Sequence, residues 1–167
     1  AAYAGYGLAT IYSRNNNPFY NLDSAAKYAE FSFNSFRLKP LKQTFSGFII
    51  DSLSILNLCD TIALRALGTI PKNNSAIQLD KFLKQNYLCD KNLIVKALRL
   101  RDEQEFKHNL ILNSSDSTIH FILTHPQSEF LPEAGLLKDH QLFEEQTKNQ
   151  SEGQYLSFIK KYPYFIK

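Results

Sequence analysis

Apolar residues along this chain recur mainly every three or four positions, a spacing that predicts α-helices. The alternation of apolar and polar residues that would indicate strands is not sustained anywhere in the sequence. A first helix is predicted around residues 3–12, where small residues allow a neighbouring helix to approach closely. A second is predicted over residues 24–36, after an N-cap at Asn21 or Asp23. The two form a predicted helix pair, with Pro40 ending its second member or the loop that follows it.

The third helix is predicted to be long, from about Thr44 to Leu67, with Gly68 as its terminator. Its apolar stripe is broad, so we expect cover on more than one side. The stripe follows steps of three and four residues through Phe45, Ile49, Ser52, Leu56, Cys59, Ala63 and Ala66, and is widened by Phe48, Ile55 and Ile62.

Short sequence blocks recur at a nearly constant spacing in the second half of the chain. FLKQNY begins at Phe82, FILTHP follows 39 residues later at Phe121, and FIKKYP another 37 residues later at Phe158. RDEQEF at Arg101 recurs as KDHQLF at Lys138, again with an offset of 37. The same offset separates Ala97 from Ala134 and Ser114 from Ser151. A period of this length with two helical segments is typical of an α-solenoid.

Each period pairs a short helix with a longer one, and neither can bury its apolar face alone, so neighbouring units are expected to stack. Phe82, Phe121 and Phe158 then occupy equivalent core positions, with Phe106 and Phe143 playing the matching part on the long helices. The short helices are predicted over 75–86, 116–124 and 152–161, and the longer ones over 91–109 and 132–148, with Pro132 in a first turn. A β-hairpin in LILNSSDSTIHFIL is the alternative for that segment.

The predicted fold class is therefore all-α, an α-solenoid of stacked helical hairpins. Residues 1–70 would form an amino-terminal helical hairpin plus a long helix. Residues 71–167 would form two and a half helical repeats continuous with it. Because the last helix would open a further unit, the chain is expected to be a segment of a larger protein.

Composition narrows the functional classes. The formal net charge is only +3 and the basic residues are scattered, which does not indicate nucleic-acid binding. No apolar run approaches the ~18 residues that a membrane-spanning helix needs, so no direct membrane insertion is expected. Cys59 and Cys89 could pair, but both lie among apolar neighbours, and buried free thiols are the favoured interpretation.

The amino-terminal segment AGYGLATIYSRNNNPFYNLDSAAKYAEFSF resembles the tetratricopeptide-like helical repeat superfamily. The residues that stand at its small and aromatic packing positions are Leu8, Ala9, Tyr12, Ala25 or Ala26, Tyr28 and Ala29. The sequences of this segment and of the FIKKYP unit are similar to helical repeat regions of Bacteroidetes envelope or tryptophan-glycine repeat proteins. This resemblance implies a tetratricopeptide-like superhelix that binds protein partners, and a periplasmic or envelope location in preference to the cytoplasm.

Catalytic and metal-binding patterns are weak in the sequence. No phosphate-binding glycine loop or nucleophile elbow occurs, so no cofactor and no enzymatic activity are expected. A triad of Ser46 or Ser52 with Asp51 can be drawn, but helix capping or packing explains these residues better. A metal site at His120, His125 and Glu129 is a further alternative to ordinary surface histidines.

Four polar residues at equivalent repeat positions are the candidate partner-binding site: Arg101, Gln104, Lys138 and Gln141. They could form a ladder that hydrogen-bonds an extended partner. Pairing within the fold, with Arg101 or Lys138 bridging to a neighbouring carboxylate, is the favoured interpretation. Aromatic residues at Phe19, Tyr20, Phe31, Phe33 and Phe36 could likewise form a docking surface or pocket, although core packing is the default for them.

The sequence therefore favours a non-catalytic helical-repeat scaffold that mediates protein–protein interaction. Its partners would be other proteins or adjacent domains of the same chain. Two alternatives from other classes stay open: a helical accessory domain of a larger enzyme or envelope complex, and a ligand-binding helical domain.

Overall fold

A computed structural model describes residues 1–38, 44–45, 48–71 and 76–166 of the chain. Its described part is all-α, as predicted, apart from one pair of two-residue strands. In chain order the elements are α1 (Ala2–Ser13), α2 (Leu22–Leu38), β1 (Thr44–Phe45), β2 (Phe48–Ile49), α3 (Ser52–Thr69), α4 (Ala76–Gln85), α5 (Lys91–Leu112), α6 (Ser115–Thr124), α7 (Leu131–Gln146), α8 (Glu152–Lys161) and a 3-10 turn (Pro163–Ile166).

The chain divides into two compact units, Ala1–Arg101 and Asp102–Lys167, and the division falls within α5. The predicted division after residue 70 differs from this one. The physical reason is that α3, α4 and the start of α5 share one apolar cluster. Its buried members are Ala63, Leu67, Leu79, Phe82, Cys89 and Ala97.

In the first unit, α1 and α2 form the predicted helix pair. Gly5 permits the close approach, since a Cβ there would lie 3.0 Å from the Tyr28 carbonyl oxygen. Ser32 Oγ donates to the Ala2 carbonyl at 2.7 Å, and the rings of Tyr12 and Tyr28 stack with centroids 5.5 Å apart. The apolar cluster beneath them has as its buried members Ala9, Ala25, Ala26, Ala29, Ile55, Cys59 and Ile62.

Helix α2 begins as the sequence predicts. The side chain of Asn21 accepts a hydrogen bond from Ser24 N at 2.8 Å, which is N-capping geometry. Of the two predicted cap residues, Asn21 is the one that caps.

Helix α3 begins at Ser52 and not at the predicted Thr44. Asp51 Oδ1 accepts from both Ser54 N and Ser54 Oγ at 2.7 Å, which fixes the first turn. Before it, β1 and β2 pair antiparallel with Thr44 opposite Ile49. The predicted helix was therefore wrong at residues 44–45 and 48–51.

The end of α3 also differs from the prediction. Gly68 lies inside the helix, which continues to Thr69. Ile70 adopts an extended conformation (φ −73°, ψ 124°), as expected for a residue that precedes a proline, here Pro71. The proline, and not the glycine, accounts for the end of this helix.

The second unit contains the end of α5 and helices α6, α7 and α8. The short and long helices lie close to their predicted bounds, and Pro132 lies in the first turn of α7 as predicted. Since residues 115–124 are helical, the hairpin alternative for this segment was wrong. Pro40, Ser46 and Ser75, which also entered the sequence predictions, lie outside the described residues.

Candidate partner-binding surface

Gln141 does not lie on an exposed polar ladder, because only 1% of its surface is accessible. In the amide orientation that satisfies both of its ends, it donates to Thr118 Oγ1 at 2.7 Å and to the Ser114 carbonyl at 3.1 Å, and accepts from Ser114 N at 3.3 Å. A partner could reach Gln141 only by displacing α7 from α6. As a contact residue for an external partner, Gln141 is therefore a wrong prediction.

The other three polar residues of the predicted ladder are at least partly covered. Arg101 Nη1 lies 3.4 Å from Asp80 Oδ1, and the Arg101 side chain is mostly buried. Lys138 Nζ lies 2.9 Å from Asp139 Oδ1, and Gln104 is half-buried. Arg101 thus bridges to a neighbouring carboxylate, as the favoured interpretation has it. Gln104 and Lys138 keep enough exposure to contact a partner.

The carboxyl-terminal half of α7 holds the amino terminus of α6. Gln141 binds Ser114, the N-cap residue of α6, and one helical turn later Glu145 accepts from Ser115 N at 2.8 Å and from the Ser115 hydroxyl. These hydrogen bonds from the Ser115 hydroxyl and backbone lower the pKa of Glu145. Because the end of α7 meets the start of α6, the two helices run antiparallel.

Aromatic contacts recur in the second unit with an offset of 37 residues. The rings of Phe106 on α5 and Phe121 on α6 lie 5.9 Å apart, and those of Phe143 on α7 and Phe158 on α8 lie 5.3 Å apart. Phe121 also stacks on His125 at 4.8 Å, and 37 residues later Phe158 contacts Tyr162 at 4.9 Å. The same offset relates each residue of the first set to one of the second.

Backbone features share this offset. Asn113 and Gln150 have positive φ, 46° and 52°, just before the N-caps of α6 and α8. Left-handed conformations are uncommon for residues other than glycine, so a shared one marks equivalent loops. Helices α6 and α8 also end alike, since His125 N donates to the Phe121 carbonyl and Tyr162 N to the Phe158 carbonyl, each at 2.9 Å.

Equivalent positions differ in what covers them. Phe130, at the start of α7, stacks on Phe106 with centroids 5.5 Å apart and an interplanar angle of 16°. Phe143, the equivalent of Phe106, is 41% exposed, and its ring contacts in the described residues are with Tyr155 and Phe158. On the short helices, Ile119 and Ile122 of α6 are half-buried, whereas the equivalent Leu156 and Ile159 of α8 are 59% and 44% exposed.

We name Phe143, Leu156 and Ile159 the α7–α8 face. The recurrence in sequence places these residues at positions equivalent to Phe106, Ile119 and Ile122. Sequence reasoning selected the repeated polar residues instead.

The two histidines of the predicted metal site lie in different environments. His125 is buried, with Nε2 3.2 Å from Glu105 Oε2 and 3.9 Å from Asp102 Oδ1. His120 lines an open groove of about 190 Å³ together with Glu105, His108, Asn109, Ser117 and Phe121. Across the described ranges, no group of three or more His, Cys, Asp or Glu side chains is arranged to hold a metal ion.

Asp51, the acid of the triad considered from sequence, caps α3, which confirms its capping role. At the amino terminus, Phe19 is 68% exposed, and Tyr20 and Phe31 are exposed as well. Phe33 and Phe36 are half-buried against the first apolar cluster. The predicted aromatic set is therefore divided between surface and core.

Cys59 and Cys89 are free and buried, as favoured from the sequence, and line one small cavity between α2, α3 and the end of α4. Burial, reinforced by the nearby charge of Asp60, raises the pKa of both thiols to about 11. Both therefore stay protonated near neutral pH, and neither has the character of a nucleophile.

Within the part of the chain that the structure describes, none of the helices combines the length and the apolar character required to cross a bilayer.

Comparison with known proteins gives no match to any protein-family model, to any curated protein or to any solved structure.

Proposed function

We propose that this chain is part of a non-catalytic helical-repeat scaffold that binds a protein partner or an adjacent domain. In this proposal the hairpins stack as an α-solenoid. The observation that carries it is the recurrence, 37 residues apart, of the Phe106–Phe121 and Phe143–Phe158 ring contacts. The positive φ angles of Asn113 and Gln150 support it independently.

The physical chemistry of such arrays links the repeat to binding. A helical repeat buries its apolar residues only against its neighbours, and successive units build extended surfaces suited to other polypeptides. The α7–α8 face contributes three exposed apolar side chains to such a surface. The polar pairs Arg101–Asp80 and Gln141–Thr118 then serve the internal fit of the helices.

The test is reconstitution of a complex. The native protein would be isolated from its source cells with chemical crosslinking, and any stoichiometric partner identified, purified and titrated against this chain by calorimetry. We expect a complex of defined stoichiometry between the purified components. Absence of binding between purified components would overturn the proposal.

Charge reversal at Lys138 tests the remaining part of the predicted polar site in the same titration. Lys138→Glu should weaken the complex if this residue contacts the partner. Lys148→Glu is the matched control, because Lys148 is exposed just beyond α7. An unchanged affinity for Lys138→Glu would remove Lys138 from the site but leave the scaffold proposal intact.

A further inference from the structure

The buried imidazole ring of His125, at the end of α6, has a hydrogen-bond acceptor beside each of its two nitrogens. Nδ1 lies 3.2 Å from the carbonyl oxygen of Phe121. On the other side of the ring, Nε2 lies 3.2 Å from Glu105 Oε2 and 3.9 Å from Asp102 Oδ1. A carbonyl oxygen or an ionised carboxylate can only accept a hydrogen bond. These contacts are therefore satisfied when both ring nitrogens carry a proton.

Neither neutral form of the ring fits its surroundings. A ring protonated on Nδ1 alone turns the lone pair of Nε2 toward the Glu105 carboxylate. A ring protonated on Nε2 alone turns the lone pair of Nδ1 toward the Phe121 carbonyl. The hydroxyl of Thr124, 2.8 Å from Nδ1, does not relieve this conflict, because it donates its hydrogen to the His120 carbonyl at 2.8 Å.

Three features stabilise a positive charge on the ring of His125. Two carboxylates of α5, Asp102 and Glu105, lie within 4 Å of it. His125 is also the C-cap residue of α6, and the last carbonyl groups of a helix favour a cation. The ring of Phe121 stacks on it with centroids 4.8 Å apart, and the face of an aromatic ring attracts a cation. These features act against the cost of burying a charged group.

We propose that His125 is held in its charged form and makes a proton-dependent contact between α5 and α6. With both protons in place, the ring joins the carboxylates of α5 to the last carbonyl groups of α6. Loss of a proton turns a lone pair toward one of these acceptors and weakens the contact between the two helices. The contact does not depend on the scaffold function proposed above, and its failure would leave that function untouched.

The carboxylates that face the ring both belong to α5. On α6 itself, the exposed side chain of His120 lines the open groove beside Glu105. In the segment after α6, Glu129 is exposed. Helix α7 contributes Glu145, which binds Ser115 at the opposite end of α6. His120 is therefore the matched control, as an exposed histidine on the same helix.

The packing of the repeat does not itself require a histidine at this position. Thirty-seven residues later, Tyr162 stands at the position equivalent to His125, and Leu142 at that of Glu105. Tyr162 keeps the ring contact with the preceding phenylalanine, since its centroid lies 4.9 Å from that of Phe158. The cluster of opposite charges is therefore an addition to the repeat pattern and not a part of it.

Stability is expected to fall as the pH rises. A histidine in an unfolded chain loses its proton near about pH 6.5. Above that value the folded chain binds one proton more than the unfolded chain, which makes unfolding more favourable at higher pH. The equilibrium constant for unfolding should rise by up to about tenfold for each pH unit in which the folded chain keeps the proton.

The experiment measures this equilibrium constant in urea at pH 6 and at pH 8, in the whole chain and in its variants. We expect the constant to rise with pH in the unaltered chain and equally in His120→Gln. In His125→Gln, which lacks the titrating ring, the rise should be at least about threefold smaller. Glu105→Gln is a second variant and should also reduce the rise, because an amide oxygen carries no charge to hold the proton.

Nitrogen NMR of the unaltered chain at pH 7 provides a direct reading, with the ring signals of His125 assigned through its backbone. We expect both ring nitrogens to be protonated. A ring with one unprotonated nitrogen would overturn the proposal, and so would an equal rise of the unfolding constant in the unaltered chain and in His125→Gln. If His125→Gln does not fold, Glu105→Gln and the ring signals distinguish the same two results.

Discussion

The ring of Phe143 meets that of Phe158 edge to face, with centroids 5.3 Å apart and an interplanar angle of 87°. The equivalent pair 37 residues earlier, Phe106 and Phe121, is tilted at 5.9 Å and carries Phe130 on the ring of Phe106. The two pairs share their place between a long helix and the short helix that follows. They differ in exposure, since Phe143 is 41% exposed whereas Phe106 is half-buried.

The buried phenylalanines of the second unit should dominate its stability. Phe121→Ala removes ring contacts with both Phe106 and His125, so we expect the free energy of unfolding to fall by about 3–5 kcal/mol. Phe19→Ala, at an exposed ring, should change it by less than about 0.5 kcal/mol. Urea unfolding followed by circular dichroism measures both. Equal effects of the two substitutions would contradict the placement of Phe121 in the core.

The buried Gln141–Thr118 pair should show energetic coupling. Gln141→Ala leaves Thr118 without its amide partner, and we expect a loss of about 1–3 kcal/mol in the free energy of unfolding. Gln146→Ala, at an exposed position of the same helix, is the control. A double-mutant cycle with Thr118→Val should give a coupling energy of at least about 0.5 kcal/mol. A coupling energy near zero would show that the two side chains do not interact.

Acid should weaken the contact between Glu145 and Ser115. Because hydrogen bonds from Ser115 lower the pKa of Glu145 in the folded chain, its contribution to stability is present above the ordinary value of 4.5 and is lost as the pH falls through the lowered value. The free energy of unfolding, measured in urea at neutral pH and near pH 3, should therefore fall more between these two pH values in the unaltered chain than in Glu145→Gln. Glu144→Gln, at the exposed adjacent position, should resemble the unaltered chain. The same acid-induced loss in Glu145→Gln would refute the contact.

The two thiols should be protected in the folded chain. Burial raises the pKa of Cys59 and Cys89 to about 11, so modification by a disulfide reagent at pH 8 should be slow until urea unfolds the protein. Since the folded value lies above the ordinary 9.0, their contribution to stability is present below pH 9 and falls as the pH rises toward 11. The variant Cys59→Ala retains only the thiol of Cys89, so its comparison with the unaltered chain separates the reaction of each thiol. Immediate modification of both thiols in the native chain would contradict their burial.

Periodicity and repeat spacing predict the helices of the second half well. The last helix was predicted over 152–161, which are its bounds in the structure, and α5 begins at Lys91 as predicted. Apolar spacing carries this information because a helix that packs on one side must place its apolar residues every three or four positions. The recurrence of blocks at one offset adds a second, independent constraint.

Two features could not be read from periodicity. At the start of α3, the spacing of apolar residues continues through Phe45 and Ile49, but the side chain of Asp51 caps the helix later. Polar burial is the other: Gln141 is buried because Thr118 and Ser114 lie opposite it, whereas Leu136 on the same helix is exposed. Which residues of a helix are covered depends on partners that spacing within that helix does not specify.

Extension of the chain tests the central claim, that its helices stack as repeating units, most directly. A second copy of residues 127–149, which contain α7, would follow Pro163 in place of the last four residues, and the free energy of unfolding would be measured in urea. Burying Phe143, Leu156 and Ile159 beneath the added helix should raise it by more than about 1.5 kcal/mol and steepen its dependence on urea. The same extension with Phe130→Ala in the added copy is the control, and its free energy of unfolding should rise less. An unchanged free energy of unfolding in the extended chain would contradict the stacking of equivalent units.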